Sequence, residues 1–264
     1  MIRIPFFFIF LSWLIPFSVI KAQNNEWHNE WHNECKSSRI VDNFKFTFPS
    51  EVTKELREYY IKQNLNSVNE CLNIIEEHNF TDSVEVEFLK DRNTMKKYLG
   101  WPASGMAYPD RKTMFCIVAE KTPIKHEWMH MISMLKWGTP DKTLTWMNEG
   151  LATYADKCSK YSNEEIYTYF IQNKRLISLD GLVNDFYNQN DVISYFQGAY
   201  LVEYLIGKYG ISKFRIFWQS NISEFENIYG KTLNNIVDDI NNYLTKKYTK
   251  PIEFDWDEFE KGCY

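Results

Sequence analysis

After Pro123 the periodicity of the chain is almost wholly helical, and that limits the folds open to it. Before it, residues 84–89 read Val-Glu-Val-Glu-Phe-Leu, the period-two alternation of a half-buried strand, and residues 113–118 form a second, more continuous apolar strand. Beyond it, apolar residues recur at three- and four-residue steps and predict helices over 123–137, 146–158, 163–175, 192–209, 211–219 and 231–248. Strands first and helices afterwards imply an α+β domain, with a small strand-containing N-terminal lobe and a mostly helical C-terminal lobe.

Two further segments belong to the first lobe. From 50 to 79, Val52, Leu56, Tyr60, Val68, Leu72 and Ile75 stand among charges at helical spacing, which predicts one long amphipathic helix. Residues 93–99 read as a short helix stopped by Gly100, and 101–109, rich in turn formers, as a loop or an edge strand. With 44% apolar residues over 264, the chain can bury one sizeable core, placed at 39–250.

The N-terminus carries a different message. Arg3 precedes an apolar run through Phe10, Leu14 and Phe17 to Ile20, closed by Lys21 and Ala22, which is the pattern of a signal peptide over 1–22. The expected location is therefore secreted or periplasmic, with no stable membrane span after cleavage. Residues 23–38 are polar, include the duplication Glu26-Trp-His-Asn and Glu30-Trp-His-Asn, and read as a mobile leader. Loss of 1–22 removes two bases and no acid, so the formal charge moves from −5 to −7 and nucleic acid is excluded as a partner class. Five cysteines in an exported chain permit two disulfides and one spare thiol, and no C-x-x-C pair suggests cysteine-based metal chemistry. The tail over 251–264 is acidic and aromatic and receives no role.

The chemistry lies in His126-Glu127-Trp128-Met129-His130. Thr122 and Pro123 make a favourable helix start and Gly138 a stop, so both imidazoles leave one helical face at i and i+4 and can share one metal ion. Glu127 points beside them and can take a proton from a metal-activated water. Eighteen residues further on, Asn148-Glu149-Gly150 opens another helix, able to return Glu149 as a third ligand while a fourth position stays open for water or substrate.

HEWMH, with 18 residues between its last histidine and the glutamate of NEGLATY, resembles the gluzincins, nearest to the aminopeptidase N-like and peptidase MA-like families. The resemblance implies a thermolysin-like catalytic domain with one Zn2+ on His126, His130 and Glu149, and Glu127 as general base. Tyr195-Phe-Gln-Gly198-Ala199 looks like the helix that follows the zinc site in aminopeptidase N-like enzymes. By that likeness Tyr195 would donate to the oxyanion, with Tyr200 as substitute. The implied activity is hydrolysis of a peptide or protein substrate. The alternatives are a catalytically silent zinc-binding or surface-interaction protein on the same scaffold, and a zinc hydrolase acting on another carbonyl.

Two positions depart from the pattern. The G-x-M-E-N strand whose glutamate grips a free amino terminus has only Gly105-Met-Ala-Tyr108 as its nearest match, which argues against aminopeptidase action. Some gluzincins place an acid four residues after the third ligand to orient a histidine; Thr153 stands there, leaving Asp156 as the candidate.

Overall fold

The computed structural model describes residues 35–119, 122–157 and 159–261. The expected signal peptide and most of the leader lie outside the described residues. Five strands form one mixed sheet in the order β1-β2-β3-β5-β4, comprising β1 (Cys35–Val41), β2 (Phe44–Pro49), β3 (Val84–Leu89), β4 (Gly105–Tyr108) and β5 (Thr113–Ile117). The β2/β3 and β3/β5 pairs are parallel, while the outer pairs β1/β2 and β4/β5 are antiparallel.

The β1–β2 hairpin went unassigned in the sequence. Its signal was the alternation Phe44, Phe46, Phe48, with the turn at Asp42-Asn43, where Asp42 takes φ 52°. The strand β1 begins at Cys35, inside the segment expected to be leader, so ordered structure starts earlier than 39.

Period-two alternation divides the sheet's side chains between two cores. Phe44, Phe46, Phe48, Val84, Val86, Phe88, Met114 and Cys116 face the main core. There they meet the helix α1 (Lys54–Ile74), which supplies Tyr60, Val68, Cys71 and Leu72. Phe115, Ile117 and Leu89 turn to the opposite side and meet Met95 and Tyr98 of α2 (Arg92–Leu99). The helix α1 is capped by Thr53, whose side chain accepts from the Leu56 N–H, and α2 ends at Gly100 with φ 85°, a left-handed stop that glycine makes cheaply.

The helix α3 (Ile124–Trp137) carries the H-E-x-x-H run and lies under the main sheet face against α1. A buried polar link fixes its rotation: Trp128 Nε1 donates to Asn64 Oδ1 on α1 at 2.7 Å, and Asn64 Nδ2 donates to the Tyr60 carbonyl at 2.8 Å. Thr122 does not cap α3 as its sequence suggested. Its hydroxyl donates to the carbonyls of Ile117 and Ala119, fastening the turn between β5 and α3 instead.

The helical lobe follows as α4 (Thr145–Asp156), α5 (Asn163–Gln172), α6 (Leu179–Asn184), α7 (Asp191–Tyr209), α8 (Ile211–Trp218), α9 (Phe225–Tyr229), α10 (Leu233–Lys247) and α11 (Trp256–Phe259). The short α6 and α9, of six and five residues, carry too little periodicity to be read from the sequence. Gly150 on α4 and Gly198 on α7 let these two helices pack without side chains between them: a β-carbon on Gly150 would stand 2.5 Å from the Gly198 carbonyl carbon.

The tail has a place as well. Phe254, Trp256 and Phe259 pack on Tyr161, Tyr169 and Phe170, and Phe259 reaches Phe196 on α7. Gln172 holds its start by donating to the Lys250 carbonyl and accepting from the Ile252 N–H. Among the described residues no helix is long and apolar enough to cross a membrane.

Of the five cysteines, Cys71 and Cys116 are free thiols buried in the core.

Candidate metal centre

One helical turn separates His126 from His130 on α3, and α4 packs beside it to bring in Glu149. The two Nε2 atoms are 3.1 Å apart, and Glu149 Oε2 stands 3.4 Å from that of His126 and 3.3 Å from that of His130. A tetrahedral zinc with ligands at ~2.0–2.1 Å has its donor atoms about 3.3–3.4 Å apart. The three atoms thus already describe one face of such a tetrahedron, and the donor set of two imidazoles and one carboxylate fits the ion.

Each ligand is steadied by a neighbour. His130 Nδ1 donates to Asn148 Oδ1 at 3.0 Å, which leaves Nε2 as the ligating nitrogen. Tyr187 Oη donates to Glu149 Oε1 at 2.9 Å. The side chains that hold these ligands in place are therefore Asn148 and Tyr187, instead of Asp156. Asn148 was legible in principle, since it belongs to the N-E-G run, whereas Tyr187 sits in a segment with no pattern to mark it. One oxygen of Asp156 is buried and has no hydrogen-bond partner.

Glu127 is buried beside the ligands at 5% exposure and accepts a hydrogen bond from the Ala107 N–H of β4. Gly105, two residues earlier on that strand, makes the space: a β-carbon there would stand 2.6 Å from Glu127 Cγ. Edge strand and α3 touch through this pair; within the 101–109 segment the edge strand is Gly105–Tyr108, and 101–104 form the loop before it.

Electrostatics separate the two glutamates. Burial pushes the Glu127 carboxyl up to about 8, and the charges of Glu149 and Asp156 push the same way against the pull of His130 and the Ala107 N–H. Burial acts on Glu149 too, but the His130 charge and hydrogen bonds from both histidines outweigh it and hold that carboxyl well below the usual range. The pair is thus split: one carboxyl is held ionised by the histidines and the other is raised by burial.

Tyr195, on α7, lies with its ring stacked beside His126 at 6.1 Å and against Phe186 at 5.3 Å. Burial, with Glu149 nearby, raises its phenol well above the ordinary value, so it is a proton-bearing donor at all working pH values. Tyr200 is removed from the site: its hydroxyl meets Glu164, whose carboxylate also takes Lys247 and Tyr248. That corrects its candidacy as substitute; one and a half helical turns carry it to another face of α7.

A two-histidine, one-glutamate metal centre on adjoining helices, with a buried glutamate between it and a sheet edge, defines a metallopeptidase-like domain. A family model for the peptidase MA superfamily matches residues 91–245, and the chain belongs to that superfamily. The matched span takes in β4, β5 and every residue of the metal centre. No curated protein matches the chain.

Proposed function

We propose that the protein is a secreted zinc peptidase that hydrolyses peptide bonds with Glu127 as general base and Tyr195 as oxyanion donor. The observation that carries this reading is the placing of Glu127: buried, its carboxyl pushed up by that burial, and wedged between the ligand triangle and the edge of the sheet. A scaffold that only bound metal has no physical need of such a group. Zinc held by His126, His130 and Glu149 would supply Lewis acidity, polarising the scissile carbonyl and acidifying water.

The chain's own residues do the rest. Glu127 takes the proton from the attacking water and returns it to the leaving amine, a role for which its raised pKa suits it. Tyr195, kept protonated, donates to the carbonyl oxygen as negative charge develops there. Asn148 keeps His130 in one tautomer and orientation throughout.

The substrate class follows from β4. Its four residues, Gly105 to Tyr108, include no acid, and Tyr108 stands where the family's amino-terminus-gripping glutamate falls. The Tyr108 ring packs edge-on against Phe115 at 5.9 Å, and burial pushes its phenol up to about 12. The strand therefore offers no anion to an ammonium group, and the reading is a peptidase with no requirement for a free amino terminus. Secretion rests on residues 1–22, whose charge and apolar run have the signal-peptide pattern.

The test is metal analysis of the purified protein together with a peptide-cleavage screen using free and N-acetylated peptides. One bound zinc with chelator-sensitive cleavage of both peptide forms is the expected result. Zinc without cleavage would convert the reading to a metal-binding scaffold, and cleavage restricted to free amino termini would overturn the substrate class.

A further inference from the structure

Glu149 has two oxygens, and the structure treats them differently. Oε2 faces both imidazoles, at 3.4 and 3.3 Å, whereas Oε1 receives the Tyr187 hydroxyl at 2.9 Å. In a buried pocket a carboxylate loses much free energy if an oxygen is left without a donor. The orientation that satisfies Oε1 is thus the one that turns Oε2 toward the histidines.

The phenol arrives from a turn that is itself held still. Residues Phe186–Asn188 form one turn of 3-10 helix between α6 and α7. The Asn188 N–H donates to the Asp185 carbonyl at 3.2 Å and its side-chain amide to Asp185 Oδ1 at 2.6 Å. Phe186 is sunk into the main core at 3% exposure and anchors the turn. Its ring stands 5.3 Å from that of Tyr187 and 5.3 Å from that of Tyr195. A single turn thus contacts the third ligand and the tyrosine beside His126.

We infer that Tyr187 is a positioning residue for the metal centre, its hydroxyl fixing Glu149 as a one-oxygen ligand through Oε2 and so raising affinity for the ion. The inference rests on the metallopeptidase reading, but it concerns binding and can be tested without turnover. Partners of this kind are typically worth about 10–100-fold in metal affinity.

The experiment is a zinc competition titration against a chromophoric chelator on wild type, Tyr187→Phe, Glu149→Gln and the double variant. Melting of each metal-free protein is measured alongside. Phenylalanine keeps the ring, so the metal-free melting temperature of Tyr187→Phe is expected to stay near that of wild type while zinc affinity falls about 10–100-fold. Because the hydroxyl acts through the Glu149 carboxylate, Tyr187→Phe is expected to cost little more in the Glu149→Gln background. The Co2+-substituted Tyr187→Phe protein is expected to show a shifted visible spectrum, reporting altered ligand geometry.

Unchanged zinc affinity and an unchanged cobalt spectrum in Tyr187→Phe would overturn the inference, as would an equal loss with and without Glu149. Failure of wild type itself to bind zinc is a separate outcome and removes the metallopeptidase reading beneath it.

Discussion

Gly150 and Gly198 meet backbone to backbone, the first from the helix that bears Glu149 and the second from the helix that bears Tyr195. A β-carbon on Gly198 would stand 2.6 Å from the Trp146 carbonyl oxygen, and one on Gly150 would stand 2.6 Å from that of Gly198. Both obstacles are main-chain atoms of packed helices, so neither can rotate away. The spacing of the two helices that carry Glu149 and Tyr195 is therefore set by two absent side chains.

Replacing either glycine by alanine is expected to force α4 and α7 apart. Overpacking of this kind costs about 1–3 kcal/mol, outweighing alanine's better helix propensity. Thermal melting checks it: for a chain of this size each kcal/mol is ~2–4 °C. A Gly150→Ala or Gly198→Ala protein as stable as wild type would show that the contact can relax.

Glu127→Gln is expected to bind zinc as wild type does and to lose about 10²–10⁴-fold in kcat, since glutamine fills the same space but cannot take a proton. Metal content and turnover measured on one preparation decide this. Retention of wild-type turnover would remove Glu127 from the mechanism.

Tyr195→Phe keeps the ring beside His126 and removes only the hydroxyl. The expected loss is about 10²–10³-fold in kcat with KM little changed, as for other oxyanion donors. A loss confined to KM would assign the tyrosine to substrate binding instead.

Asp156, at the end of α4, has an ordinary carboxyl raised by burial to about 7, with Lys125 only partly opposing, and one of its oxygens has no hydrogen-bond partner. Its folded pKa exceeds its unfolded one, so the unfolded chain holds fewer protons between about pH 4 and 7 and stability falls as pH rises through that window. The loss is complete above about pH 7 and is on the order of a few kcal/mol. Asp156→Asn lacks this slope. Melting of wild type and variant in chelator is expected to show a gain for the variant at pH 8 relative to its standing at pH 4. A difference independent of pH would contradict the assignment.

The candidate metal centre was written locally. His126 and His130 needed one helical turn, which periodicity and a glycine stop were enough to predict, and the i,i+4 spacing does the geometry without help from the rest of the chain. Glu149 was legible because the N-E-G run opens a second helix at a distance a return can span, and Tyr195 because the resemblance extends into α7. The strands β3 and β5 announced themselves by alternation. Segments too short for periodicity, such as α6 and α9, left no mark, and the aromatic tail gave no clue to the Tyr161, Tyr169 and Phe170 platform that receives it.

The sequence by itself determined which side chains can come together around one metal ion and which helices hold them, because helical spacing and metal-ligand chemistry act over a few residues. Only the tertiary structure decided what steadies them. Tyr187 reaches Glu149 across 38 residues, the Ala107 N–H comes to Glu127 from an edge strand, and Cys71 and Cys116 are kept as thiols by the core around them. Contacts of that range depend on how helices and sheet pack, and a packing distance as small as the one between Gly150 and Gly198 appears in no local pattern.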